Sequence, residues 1–224
     1  MQKLNRQNNF TYLFVSLILF LFTASVVAEF SNFFSRSAFT IIIVLMLVAS
    51  IKSLHADLAW KRIIYVLLPI FLSLSLLNHF FENKIYIFLV LSTLLFFFIG
   101  NFSFAIRQVL FEGDIDSNKI IGSLTLYILL GMIWAVLYLM ILVVDPQAFS
   151  GLEVNNWQEG FSRIAYYSFV TLTTLGYGDV LPQDHVAEFF VYMEAIIGVF
   201  YMAIIVSSLI SLRLNTLQKE REGK

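Results

Sequence analysis

The chain has 224 residues, of which 59% are hydrophobic and 13% are charged, and its mean hydropathy is +0.84. Soluble domains carry about 25% charged residues, so this composition excludes an ordinary soluble protein and indicates an integral membrane protein. The net charge of -1 and the lack of cysteine exclude a basic nucleic-acid-binding surface, a disulfide framework and thiolate chemistry.

Six apolar runs predict transmembrane helices, because a helix needs about 20 residues to cross a hydrocarbon core of ~30 Å. They cover about Phe10–Ala28, Ala38–Ile51, Ile63–Phe81, Ile85–Ile106, Ile120–Val144 and Ala187–Leu212. The second is the weakest and could begin earlier, at Phe33. The third contains Pro69, which predicts a kink. The first follows basic residues, as a cleaved signal core does, but its run of about 19 residues exceeds the usual roughly 7–15 and favours a retained span.

The basic residues are distributed unequally between the two sides of this bundle. Eleven of the 14 lysines and arginines lie on the side that holds both termini, and only Arg36, Lys84 and Arg163 lie on the other. By the positive-inside rule, both termini are predicted to be cytoplasmic. The loop between the fifth and sixth spans then faces outward.

That loop combines a short helix with an irregular, glycine-spaced segment. A helix is predicted over Phe161–Thr173, after Gly160, and it is too short to span. The segment Thr174-Leu-Gly-Tyr-Gly-Asp179 follows it, then the sixth span. Irregular backbone is tolerated at membrane depth only where it is enclosed by protein or lines a water-filled cavity. The loop is therefore predicted to be re-entrant and to line a pore.

The residue types of this segment suit the dehydration of a cation. Gly176 and Gly178 can adopt positive φ at little steric cost, which lets consecutive carbonyls point the same way and replace the water shell of K⁺. Thr174 adds a hydroxyl, and Leu175 and Tyr177 are expected to turn their side chains away from the axis and brace the strand. The predicted ion ligands are the carbonyls of Thr174, Leu175, Gly176 and Tyr177, with Gly178 completing the filter.

The run Thr-Thr-Leu-Gly-Tyr-Gly-Asp resembles the selectivity filter of potassium channels, which is usually Thr-Val-Gly-Tyr-Gly-Asp. Tyr166 and Tyr167 stand where that family has an aromatic pair, and Gly198 matches the glycine hinge of its inner helix. The resemblance covers about Ile120–Leu212 and is to small bacterial channels. It implies a homotetramer, K⁺ as the permeant ion and a bacterial inner membrane. Leu175 departs from the usual valine, which leaves open a weakly selective cation channel.

Further residues are predicted to support the filter or to line the inner pore. The predicted supports are Asp179, Tyr166, Tyr167, Thr173 and Glu194. An ionisable residue such as Glu194 is costly inside a span, and we expect it to bond to Ser168, Thr171 or a tyrosine, the alternative being a purely structural buried group. The predicted inner pore comprises Gly198, Val199, Met202, Val206 and Ile210. Apolar rings there could close a pore by dewetting. Alternatively, this face of the helix could simply pack against its neighbours.

The expected fold is an all-α tetrameric membrane protein, with a re-entrant pore helix and filter between the last two of its six spans. Its predicted parts are a peripheral four-helix domain (1–106), a cytoplasmic linker (107–119), a pore domain (120–212) and a short cytoplasmic tail (213–224). The peripheral domain has the outline of a voltage sensor, but its fourth span carries no basic residue before Arg107. We expect passive K⁺ flow without strong voltage gating, no enzymatic activity and no cofactor. The rivals are a non-conducting membrane subunit and a secondary transporter, although transporters usually repeat their broken helices.

Overall fold

The computed structural model of the protein describes residues 9–29, 33–53, 58–81, 83–111, 117–152 and 157–207. This part of the chain is almost entirely helical. Its elements are α1 (Asn9–Glu29), α2 (Phe33–Ser53), α3 (Leu58–Phe81), α4 (Lys84–Phe111), α5 (Ser117–Val144), β1 (Phe149–Ser150), α6 (Trp157–Leu172), β2 (Leu181–Pro182), α7 (His185–Tyr201) and a π-helix (Met202–Val206). The predicted all-α membrane class is confirmed.

Within the described residues, five helices are long and apolar enough to cross a membrane: α1, α3, α4, α5 and α7. In α2 the apolar stretch is shorter, Ser37–Ile51, so the second of the six predicted spans stays a prediction. Helix α3 runs through Pro69 without ending there.

Several helix bounds differ from those predicted from hydropathy. Helix α4 continues to Phe111, beyond the expected end at Ile106, because the buried Ala105 and Val109 extend its packed face. Helix α6 begins at Trp157 rather than Phe161, since Trp157 and Gly160 are buried along with the rest of the helix.

At the other end of the chain, α7 is α-helical only to Tyr201. Residues 208–224, which include Ile210 and the predicted tail, lie outside the described residues, as do 112–116 of the predicted linker.

The peripheral helices pack directly on the short helix α6 of the same chain. Helix α1 contacts α2, α5 and α6, while α4 packs on α5. Phe20 of α1 and Phe39 of α2 meet Phe161 of α6 with ring centroids 5.1 and 5.6 Å apart, and Phe39 also meets Trp157 at 5.7 Å. These aromatic contacts hold the first half of α6, and with it the start of the candidate site.

A small antiparallel ribbon, absent from the sequence prediction, joins the two sides of the loop. Phe149 pairs with Pro182 and Ser150 with Leu181. Gly151 follows with φ +78°, and a Cβ there would overlap the carbonyl oxygen of Asp179. The ribbon therefore closes against the outer end of the glycine-spaced segment.

Candidate functional site

The irregular segment begins at the carboxyl end of α6, where the backbone leaves the α-helical hydrogen-bond pattern. The N–H groups of Leu175 and Gly176 both donate to the Val170 carbonyl, at 2.9 and 3.4 Å. A trans peptide points its N–H and C=O in opposite directions, and no described peptide bond is cis. The carbonyls of Thr174 and Leu175 therefore point away from α6, towards the open side of the chain.

Positive φ recurs at every second residue of this segment. It is +60° at Thr174, +56° at Gly176 and +77° at Gly178, so the expected left-handed conformation of both glycines is confirmed. A Cβ at either glycine would meet no atom within 4 Å, so the dihedral angle, not lack of space within the chain, is what favours glycine there. Thr174 adopts the same conformation without being glycine, at a strain of about 1–3 kcal/mol that is typical of functional sites.

Two side chains of the segment are left uncovered by the described residues. Leu175 is 60% and Tyr177 68% exposed, so the expected bracing of the strand stays a prediction. Thr173 does have a partner, since its hydroxyl donates to the Phe169 carbonyl at 2.6 Å. In the described part of the chain, no group of three or more Asp, Glu or His side chains could hold a metal ion.

Asp179, at the outer end of the segment, is held by Arg163. The guanidinium Nη2 lies 3.0 Å from Asp179 Oδ2, and it stacks over the ring of Tyr166 at 5.2 Å. The pKa of the Tyr166 phenol is raised, first by partial desolvation and then by a side-chain hydrogen bond to Asp179, so the phenol remains a donor. Asp179 and Tyr166 were both among the supports predicted from the sequence, whereas Arg163 was not.

The second tyrosine of the pair faces inward instead. Tyr167 is only 5% exposed and packs between Tyr138 and Phe149, with ring centroids 5.4 and 5.6 Å away. The two tyrosines thus lie on different sides of α6: Tyr166 contacts the outer end of the glycine-spaced segment, and Tyr167 contacts α5 and the ribbon.

Glu194 is fully buried behind α6 and joins three helices. Its Oε1 lies 2.5 Å from the Ser168 hydroxyl of α6, and its Oε2 accepts from the Tyr138 hydroxyl of α5. Ser168 Oγ also lies 2.8 Å from the Gly131 carbonyl of α5. The expected contact with Ser168 and with a tyrosine is confirmed.

Gly198 serves as a contact point between α7 and the carboxyl end of α6. A Cβ at this position would overlap the carbonyl oxygen of Leu172, to which the Tyr127 hydroxyl donates at 3.3 Å. The hinge role implied by the resemblance stays a prediction, while the close approach gives a packing reason for glycine.

The predicted inner-pore stripe assumed uniform α-helical spacing. Val199 and Met202 are both more than half exposed, but Met202–Val206 is a π-helix. Because i→i+5 bonding changes the residue spacing, the α-helical spacing on which the stripe rested does not hold beyond Met202. The Val206 side chain and Ile210 lie outside the described residues.

Residues 122–213 match a protein-family model described as Ion channel. No curated protein and no solved structure matches the chain. The matched range contains most of α5, all of α6, the glycine-spaced segment and α7. Together with the apolar helices, it indicates an integral membrane ion channel.

Proposed function

We propose that the protein is a K⁺-selective channel in which four copies of the chain surround one pore. The observation that carries the proposal is the alternating positive φ at Thr174, Gly176 and Gly178. Together with the N–H groups turned back to α6, it leaves carbonyls on the open side. Four such strands would form stacked rings of carbonyl oxygens, which can replace the hydration shell of K⁺.

Two further features favour a cation at this place. The carboxyl end of α6 carries the negative end of a helix dipole, equivalent to roughly half a charge. The Thr174 hydroxyl can add one more oxygen layer below the carbonyls of the strand. Flow through this filter would be passive, with K⁺ as the permeant ion, no cofactor and no chemical reaction.

The arrangement in the membrane is part of the proposal. Six spans place both termini on the cytoplasmic side, in accord with the excess of basic residues there, and the resemblance to small bacterial channels suggests a bacterial inner membrane. Helix α4 carries no basic residue between Ile85 and Ile106, so strong voltage gating by this helix is not expected.

The experiment is the reversal potential of purified protein in planar bilayers, with K⁺ on one side and Na⁺ on the other. We expect reversal near the K⁺ equilibrium potential, and loss of that selectivity in Gly176→Ala, because alanine at positive φ costs about 1–2 kcal/mol per residue. Leu175→Val is the matched control, since it changes the neighbouring side chain without requiring a new dihedral angle. It should leave the reversal potential unchanged.

Other results would assign other functions. Reversal near zero in the unsubstituted protein would identify a weakly selective cation channel. Purified protein that stays silent across voltage, membrane tension and pH would point to a non-conducting subunit and contradict the proposal.

A further inference from the structure

Three close oxygen–oxygen contacts surround Glu194 in the interior of the bundle. They join Tyr138 to Oε2, Ser168 to Oε1, and Ser168 to the carbonyl oxygen of Gly131. All three donor or acceptor side chains are fully buried, which removes water as an alternative partner. Each contact therefore needs a hydrogen atom from within the group.

Counting hydrogens identifies the missing donor. A tyrosine hydroxyl and a serine hydroxyl carry one hydrogen each, and a carbonyl oxygen can only accept. If Glu194 were ionised, two hydrogens would have to serve three contacts, and two oxygen atoms would face each other without one. A hydrogen on Oε1 completes the set, because Glu194 then donates to Ser168, Ser168 donates to Gly131, and Tyr138 donates to Oε2.

Among the described residues, none that faces Glu194 carries a positive charge that would favour the ionised form. The titratable side chains facing Glu194 are Tyr127 and Tyr138 from α5 and Tyr167 from α6. The basic residue of α6, Arg163, pairs with Asp179, and that of described α7, His185, is fully exposed beside Glu188. Helix α5 has no basic residue from Ile120 to Val144. A buried carboxylate without a cation is strongly disfavoured inside a membrane.

We propose that Glu194 is a neutral carboxylic acid and that, in this form, it is a positioning residue that fixes the pore helix α6 to α5 and α7. Its proton holds Ser168 in the orientation that reaches Gly131, so one proton determines two of the three contacts. Removal of the proton would remove one of the two hydrogen bonds by which Ser168 joins α6 to α5 and α7. The consequence for the filter rests on the proposed channel function, whereas the protonation state does not.

The test is infrared difference spectroscopy of the full-length protein in lipid vesicles at neutral pH. We expect a carbonyl-stretch band of a protonated carboxylic acid in the wild type and its loss in Glu194→Gln. The band should shift in Tyr138→Phe, which removes the donor to Oε2, and in Ser168→Ala. These two shifts assign the band even if Glu194→Gln fails to assemble. The matched control is Glu188→Gln on the same helix, whose exposed carboxylate should contribute only carboxylate bands.

A second measurement uses the shape of glutamine. Its amide can donate to Ser168 and accept from Tyr138, as the neutral acid does, so Glu194→Gln should keep the wild-type melting temperature while Glu194→Ala lowers it. Carboxylate bands lost in Glu194→Gln would overturn the proposal, as would equal destabilisation by glutamine and alanine. Neither the infrared bands nor the melting temperatures depend on ion current. A failure of the proposal for Glu194 is therefore distinguishable from a failure of the channel assignment.

Discussion

At the scale of single residues, the contact between Gly198 and the Leu172 carbonyl leads to a sharp prediction. A methyl group at Gly198 would overlap a backbone oxygen that ends α6, and backbone cannot rotate out of the way as a side chain can. We expect Gly198→Ala to destabilise the protein by about 1–3 kcal/mol, the usual range for overpacking. Thermal unfolding of the purified protein in detergent measures it.

Gly131→Ala is the matched control for that prediction. The methyl group it adds would meet the far end of the Phe169 ring, which can move, and alanine gains about 1 kcal/mol of helix propensity over glycine. Its melting temperature should therefore stay near that of the wild type. Equal effects at the two positions would show that the α6 carbonyl does not limit the approach of α7.

The sequence allowed a residue's conformation or role to be predicted where it depends on the residue type and not on a partner far away in the chain. Positive φ at Gly176 and Gly178 follows from the residue type itself. Arg163 was missed because its partner, Asp179, lies 16 residues away in the chain, although a single arginine in a short apolar helix was a usable signal. The bracing of the strand by Leu175 stays a prediction, because under the proposed assembly the partners of this side chain belong to another copy.

At the scale of elements, α6 is held at both ends by different parts of the chain. Its first half packs on Phe20 and Phe39 from the peripheral helices, and its last carbonyls meet α5 and α7. Helices α1 and α2 thus contact α6 directly, so changes in the packing of α1 reach α6 without passing through the predicted linker at 107–119.

Truncation of Phe20 tests this support. Phe20→Ala would leave a cavity of about 100 Å³, which at roughly 24 cal/mol per Å³ costs about 2 kcal/mol. The transfer cost typical of soluble cores is largely absent, because lipid is as apolar as the interior. Phe22→Ala on the same helix is the control, since Phe22 is 67% exposed and should be nearly neutral. If both variants melt like the wild type, the aromatic contacts do not hold α6.

Hydropathy located the helices because a helix that crosses a hydrocarbon core needs a long run of apolar residues. It did not define where each helix ends or where α-helical hydrogen bonding gives way to another pattern. Helix α4 exceeds its apolar run because packing on α5 continues to Val109. The π-helix at Met202–Val206 depends on which carbonyl each N–H selects, and side-chain hydropathy carries no information on that selection. The α-helical spacing assumed for the inner-pore stripe does not hold beyond Met202 for this reason, and the pore-lining role of these residues stays a prediction.

At the scale of the whole molecule, one chain leaves its most unusual backbone uncovered. The Thr174 and Leu175 carbonyls face the open side, and α7 exposes Ile196, Val199 and Phe200. Under the proposed function this strained, polar backbone lies at membrane depth and needs an enclosed cavity, which the described residues of one chain do not supply. Copies related by rotation about a common axis would enclose it, since closed symmetry brings the same face of each copy to the centre.

Mixing subunits tests the number of copies. When wild type is co-expressed with Gly176→Ala, one altered strand is expected to interrupt every carbonyl ring, so only all-wild-type assemblies retain K⁺ selectivity. With four chains per pore, the fraction of K⁺-selective channels, counted from single-channel reversal potentials, should fall as the fourth power of the wild-type fraction, to about one-sixteenth at equal expression. Phe22→Ala, whose side chain faces outward, should leave that fraction unchanged at any ratio. A linear decline would mean that each chain conducts alone, and a square law would mean a dimer, because the exponent reports how many filter strands each conducting pore requires.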